Sequence, residues 1–148
     1  MPIQELLRQG LLAAAGTLAF AVLFHVAPRH YAGCALVGCV GWVVYALSLA
    51  ATGSTPLSTL IATVPLTLLV RLLAVRFKTP GTVFLLCGIF PLVPGAGIYY
   101  TAYGFFMGDS AQFVQKGTET LKIALALAVG IAVVLSMPLP GAKKMRRG

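Results

Sequence analysis

The chain has 148 residues, of which 59% are hydrophobic and only 9% charged, and its mean hydropathy is +0.94. Soluble domains carry about 45–50% apolar and about 25% charged residues, so the composition excludes a water-soluble globular fold and reads as an integral membrane protein. The net charge of +8 would suggest nucleic acid in a soluble protein, but these basic residues flank apolar segments, where they set orientation and meet anionic lipid; no nucleic-acid partner is expected.

A bilayer core of roughly 30 Å takes about 20 apolar residues per helix, and five such stretches follow one another, over residues 6–26, 31–51, 56–75, 82–107 and 118–137. They predict an all-α integral membrane protein, a compact bundle of five transmembrane helices forming one domain over 1–148, with a basic tail at 138–148. The breaks APRH, TGST, RFKTPG and GDSAQFVQKG carry turn chemistry. Most are short, so neighbouring helices run antiparallel.

The first stretch has a weakly charged start, a long apolar run and no small-residue cleavage site before Arg29, so it reads as an uncleaved helix. His25 and His30 bracket the APRH turn at the interface, without a carboxylate near enough in sequence to complete a metal site. Cys34, Cys39 and Cys87 fall inside spans and are odd in number, which fits small apolar residues rather than disulfides or metal ligands. Near the end of the third stretch, Arg71 has two readings: it snorkels to the interface as Arg76 does, or it pairs with a substrate carboxylate.

The fourth stretch is interrupted by FPLVPGAGIYY, residues 90–100. Pro91 and Pro94 lack amide protons, and Gly95 and Gly97 loosen the backbone. Inside a bilayer such a break is tolerated only in contact with protein or a wet cavity. A helix restarting near Gly95 would expose amide donors and the positive end of its dipole. Tyr99, Tyr100, Thr101 and Tyr103 follow, with Tyr99 and Tyr103 on one face. One reading is a binding site for a small anionic group; the other is a proline kink that shapes packing, with the tyrosines as interfacial anchors.

Before the fifth stretch, GDSAQFVQKG reads as an outer loop. Asp109 either caps or solvates that loop or, if proton coupling runs through this chain, carries the proton; Glu5 and Glu119 are the remaining carboxylates. Lys116 and Lys122, flanking Glu119, are expected to be solvated. Ala124, Ala128 and Ala132, and Ala126 with Gly130, recur at four-residue spacing, either as two close-packing faces or as alanine filler.

Five crossings put Arg29, Arg71, Arg76, Lys78, Lys143, Lys144, Arg146 and Arg147 on one side and Arg8, Lys116 and Lys122 on the other. Positive residues stay cytoplasmic, so the N-terminus is expected outside and the tail inside. A re-entrant fourth segment would largely erase that asymmetry. No nucleophile and base pair, phosphate loop or metal cluster is visible, so neither an enzyme nor a cofactor is expected.

The segment FPLVPGAGIYY, preceded by RFKTPGTVFLLCGI and followed by GDSAQFVQKGTETL, resembles the small-subunit or C-terminal half of the threonine/serine exporter (ThrE-type) family. The likeness extends to the turn VAPRHYAGCALVGCVGW and the final apolar helix, and its most specific element is P-x-x-P-G-x-x-x-Y, at Pro91, Pro94, Gly95 and Tyr99. The resemblance implies a subunit that works with a larger membrane partner of the same family in a cell inner membrane. It further implies export of small carboxylate-bearing solutes, either threonine and serine or dicarboxylates such as succinate. The resemblance assigns motif positions and no residue roles; the physical chemistry of the break makes Pro91, Pro94, Gly95, Gly97, Tyr99, Tyr100 and Thr101 the expected substrate site, with Arg71 as a candidate charge partner and Asp109 as a candidate proton carrier. A non-transporting assembly subunit and an intramembrane enzyme acting on lipid are the rival readings.

Overall fold

A computed structural model describes residues 3–138, and these are helical apart from short turns. The elements are α1 (Ile3–Leu23), α2 (Tyr31–Thr52), α3 (Thr55–Phe77), α4 (Thr82–Gly88), α5 (Gly95–Phe106) and α6 (Ser110–Ser136), with single 3-10 turns at Pro28–His30 and Phe90–Leu92. Four helices, α1, α2, α3 and α6, are each long and apolar enough to cross a membrane. The fourth predicted span is divided: α4 with its 3-10 turn and α5 meet at a bend of 60°, and together they make a fifth candidate. The basic stretch 139–148 lies outside the described residues.

Local chemistry sets the helix ends. After α1 the backbone turns through His25 at φ 53, and Pro28 opens the 3-10 turn that leads into α2. Gly53, at φ 65, closes α2 by donating its amide to Leu49 O. α3 begins with proline in its first turn and ends on Lys78 at φ 50, whose amide reaches the carbonyls of Ala74 and Val75. One boundary differs from expectation: α6 starts at Ser110 rather than Thr118, so most of the expected GDSAQFVQKG loop is helix. Asp109 accepts the Gln112 amide at 3.0 Å, which is the cap a helix needs, and Gly108 at φ 72 supplies the turn before it.

α3 is the middle helix. Ser58, Ala62, Leu66 and Val70 form one buried row, and Thr59, Thr63 and Thr67 form a second. Leu66 lies under Gly41 of α2, and Thr63 lies against Gly130 of α6. A Cβ at Gly130 would stand 2.6 Å from Thr63 Oγ1, and one at Gly38 of α2 would overlap Thr17 of α1. Packing replaces the hydrophobic drive in lipid, so such close approach is how these helices hold together. α4 seats Phe84 and Cys87 in the core beside Cys34, Val37 and Leu66. His30 was expected at the interface, but only 3% of it is exposed. Its ring meets the edges of Phe77 and Phe84, because the APRH turn folds under the end of α3 and the start of α4.

α6 ends beside the end of α3. The Arg71 guanidinium donates to Val134 O and Met137 O, and Leu135 shares a pocket with Lys78 and Thr82. The α4–α5 unit therefore starts at the end of the bundle where α6 finishes.

Candidate functional site

The interruption of the fourth span satisfies much of its own backbone. The amide of Leu92 donates to Ile89 O at 2.8 Å, that of Gly95 to Val93 O at 2.8 Å, and that of Ile98 to Pro94 O at 3.0 Å. Pro91 and Pro94 have no amide to place. Ala96 and Gly97 open α5, and first-turn amides have no carbonyl one turn earlier to receive them. The break is held from behind by aromatic stacking: Phe90 lies on Phe20 of α1 with ring centroids 3.7 Å apart, while Leu92 is buried.

In front of the break is a cleft of about 350 Å³. Residues 91–97 and Tyr100 form one wall, Trp42 and Tyr45 of α2 with Thr55 and Thr59 of α3 form a second, and Lys116, Glu119, Thr120 and Ile123 of α6 form the third. Lys116 Nζ lies 3.6 Å from Glu119 Oε2, and both side chains are partly exposed. Trp42 is fixed by donating its indole N–H to Gln9 Oε1 at 3.3 Å. The cleft thus gathers hydroxyls, one cation and one carboxylate around the positive end of a helix dipole.

Of the residues singled out in the sequence, Pro91, Pro94, Gly95, Gly97 and Tyr100 line this cleft. Tyr99 is 62% exposed and stacks on Tyr103 at 6.3 Å, away from it. Thr101 donates to Gly97 O at 2.7 Å and faces a second, larger groove of about 720 Å³ between α5 and α6, walled by Phe105, Phe113, Ala124 and Ala128. Arg71 sits at the far end of α3 on the α6 carbonyls, and Asp109 caps α6. Sequence reading missed Trp42, Tyr45, Thr55 and Thr59 and gave Glu119 no role; Lys116, expected to be solvated, lines the cleft while remaining partly exposed. The one signal that pointed to the threonines is their four-residue spacing in α3; nothing local pointed to Trp42 or Tyr45, which tertiary packing alone brings to the break.

These helices define a multi-pass membrane protein with an interrupted helix bordering a polar cleft, an arrangement that membrane transporters use to hold small solutes. The sequence profile of a family described as "Threonine/Serine exporter, ThrE" matches residues 9–137. The chain belongs to that threonine/serine exporter family, a family of transporters. No curated protein and no solved structure matches the chain.

Proposed function

We propose that the chain is one subunit of a secondary exporter of threonine- and serine-like amino acids, and that the cleft at the broken helix is its solute site. The observation that carries this is the Lys116–Glu119 pair facing the break. An amino acid is a zwitterion, so its carboxylate suits Lys116 and the open amides of Ala96 and Gly97, while its ammonium suits Glu119. Tyr100, Tyr45 and Thr59 offer partners for a solute hydroxyl. A dicarboxylate such as succinate would set a second negative charge against Glu119, so it is the weaker substrate class.

Five crossings are the topology we infer. The 60° bend suits a broken span or a re-entrant loop alike; what supports a crossing is the end of α6 beside Arg71 near the end of α3, which fits a chain that has crossed and returned. Arg29, Arg71, Arg76 and Lys78 then share one end, opposite Arg8, Lys116 and Lys122. The positive-inside tendency puts the first end in the cytoplasm, with the N-terminus outside, in the inner membrane of a cell. A larger membrane partner, which the family resemblance implies, would find an unfilled apolar surface at the α5–α6 groove, where Phe105 and Leu121 are exposed. Rocking of the two subunits would alternate access to the cleft, and anionic lipid would meet the basic end.

The test is efflux from preloaded cells expressing this chain, its larger partner, or both. Threonine and serine efflux with both, outpacing succinate, is expected. Failure of every combination to move these solutes, despite confirmed membrane expression, would contradict the reading and favour a non-transporting assembly subunit.

A further inference from the structure

One polar feature of α3 extends well beyond the cleft. Thr55, Thr59, Thr63, Thr67 and Arg71 recur at intervals of four, so they form one continuous row along the helix. Its upper members, Thr55 and Thr59, line the cleft. Its lower end is Arg71, whose guanidinium grips the C-terminal carbonyls of α6. Between them Thr59, Thr63 and Thr67 are buried to within 1%, and Gly130 lets α6 close directly over Thr63.

The hydroxyls in this row are not equally satisfied. Thr59 donates to Thr55 O and Thr63 to Thr59 O, but Thr67 Oγ1 is fully buried without a partner among the described residues. A buried hydroxyl that lacks a partner is unfavourable, and valine would fill the same space without that penalty. Water or a solute hydroxyl reaching Thr67 would remove it. Pro65 withholds one donor from the α3 ladder between Thr63 and Thr67, which makes that turn the easiest place for α3 to flex. The cleft is open at one end of this row, and Arg71 fastens the seam at the other.

We propose that the α3–α6 seam is the closed half of the solute path, lined by Thr59, Thr63 and Thr67 and latched at its far end by Arg71. This rests on the reading of the cleft as the solute site. In the alternate state α6 parts from α3, Arg71 releases Val134 O and Met137 O, and the threonine row becomes a wet track leading from the cleft to the Arg71 end. Arg71 acts here as a positioning residue: its charge holds the seam shut and is freed to face water, or a passing carboxylate, when the seam opens.

Single cysteines test the seam. Thr55→Cys, Thr63→Cys, Thr67→Cys and Ala62→Cys are made in a background with Cys34, Cys39 and Cys87 replaced by alanine, and each is assembled with the larger partner in membranes. The readout is the rate of modification by a small water-soluble maleimide, which reports water access to the thiolate. With Arg71 intact and no solute, Thr63→Cys and Thr67→Cys should react as slowly as Ala62→Cys, which is buried in the neighbouring row. Arg71→Gln, or active threonine efflux with Arg71 intact, should speed both by about tenfold or more, the range open to a minor state that becomes dominant. Ala62→Cys should stay slow and Arg71→Lys should resemble the native chain. Saturating threonine should protect Thr55→Cys. If Thr67→Cys stays as inert as Ala62→Cys both in Arg71→Gln and during efflux, the seam is not a path, and protection of Thr55→Cys would leave the cleft reading standing. If threonine fails to protect Thr55→Cys, the cleft reading falls and the path with it.

Discussion

The contact between Gly97 and Thr120 joins the restarted helix to α6 and sets the shape of the cleft wall, so it bears a quantitative prediction. A methyl at position 97 would overlap Thr120 Oγ1, while Thr120 Cβ and Cγ2 would lie at 3.4 and 3.6 Å, which is ordinary contact. Relief requires Thr120 to rotate or α5 to slide, and overpacking of this kind costs about 1–3 kcal/mol. Alanine recovers about 0.5–1 kcal/mol relative to glycine in a helix, so Gly97→Ala should destabilise by about 0–2.5 kcal/mol. In a Thr120→Ala background the obstructing oxygen is gone, and the same change should stabilise by about 0.5–1 kcal/mol. The double-mutant cycle should therefore show a coupling of about 1–3 kcal/mol. Unfolding of the four proteins in mixed micelles, titrated with denaturing detergent and followed by far-UV circular dichroism, measures it. Additivity within about 0.5 kcal/mol, or a Gly97→Ala that stabilises the native background, would refute the close approach of α5 and α6.

Three further perturbations separate roles within the molecule. Asp109→Asn keeps a good helix cap, so it should retain both stability and efflux, whereas Asp109→Ala should lose about 0.5–2 kcal/mol; an asparagine variant that assembles normally but no longer exports would show that Asp109 carries a proton. Tyr100→Phe should lower threonine efflux by about two- to tenfold, the span of one lost hydrogen bond, while Tyr99→Phe, on the outer face, should change it less; equal losses in transport assays would remove Tyr100 from its place in the cleft. Leu66→Ala, at a fully buried position of α3, should cost about 2–5 kcal/mol, against within about 0.5 kcal/mol for the exposed Leu68→Ala. Similar unfolding midpoints for those two would contradict α3 as the central helix.

The long apolar helices and the interruption were readable because they depend on local chemistry. Apolar length marks a crossing, and proline and glycine at positions 91–97 break a helix wherever they fall; the restart at Gly95 followed from the same residues. The start of α6 was not readable by that rule, because Gln112, Gln115 and Lys116 look like a polar loop to a hydropathy argument, while one side chain, Asp109, is enough to cap a helix there. Thr59, Thr63 and Thr67 were passed over for a related reason: threonine is nearly neutral in hydropathy, and its four-residue spacing acquires meaning only when α6 is seen to cover it. Lys116 and Glu119 enter the cleft because α5 packs along α6, and Tyr99 leaves it because α5 presents that face outward. Those are tertiary facts that no local pattern encodes. Tyr99 and Tyr103 do share a face, as their spacing indicated, but that face points away from the cleft.

The most direct test of the cleft as a zwitterion site is efflux of threonine and succinate, measured side by side, from cells carrying this chain with the proposed larger partner, or the same two proteins with Glu119→Gln in this chain. On the proposed reading, loss of Glu119 removes the partner of the solute ammonium and the charge that repels a second carboxylate. Threonine efflux should fall and the ratio of succinate to threonine should rise, at unchanged membrane levels of both subunits. Threonine efflux at the native rate, with the ratio unmoved, would contradict the account.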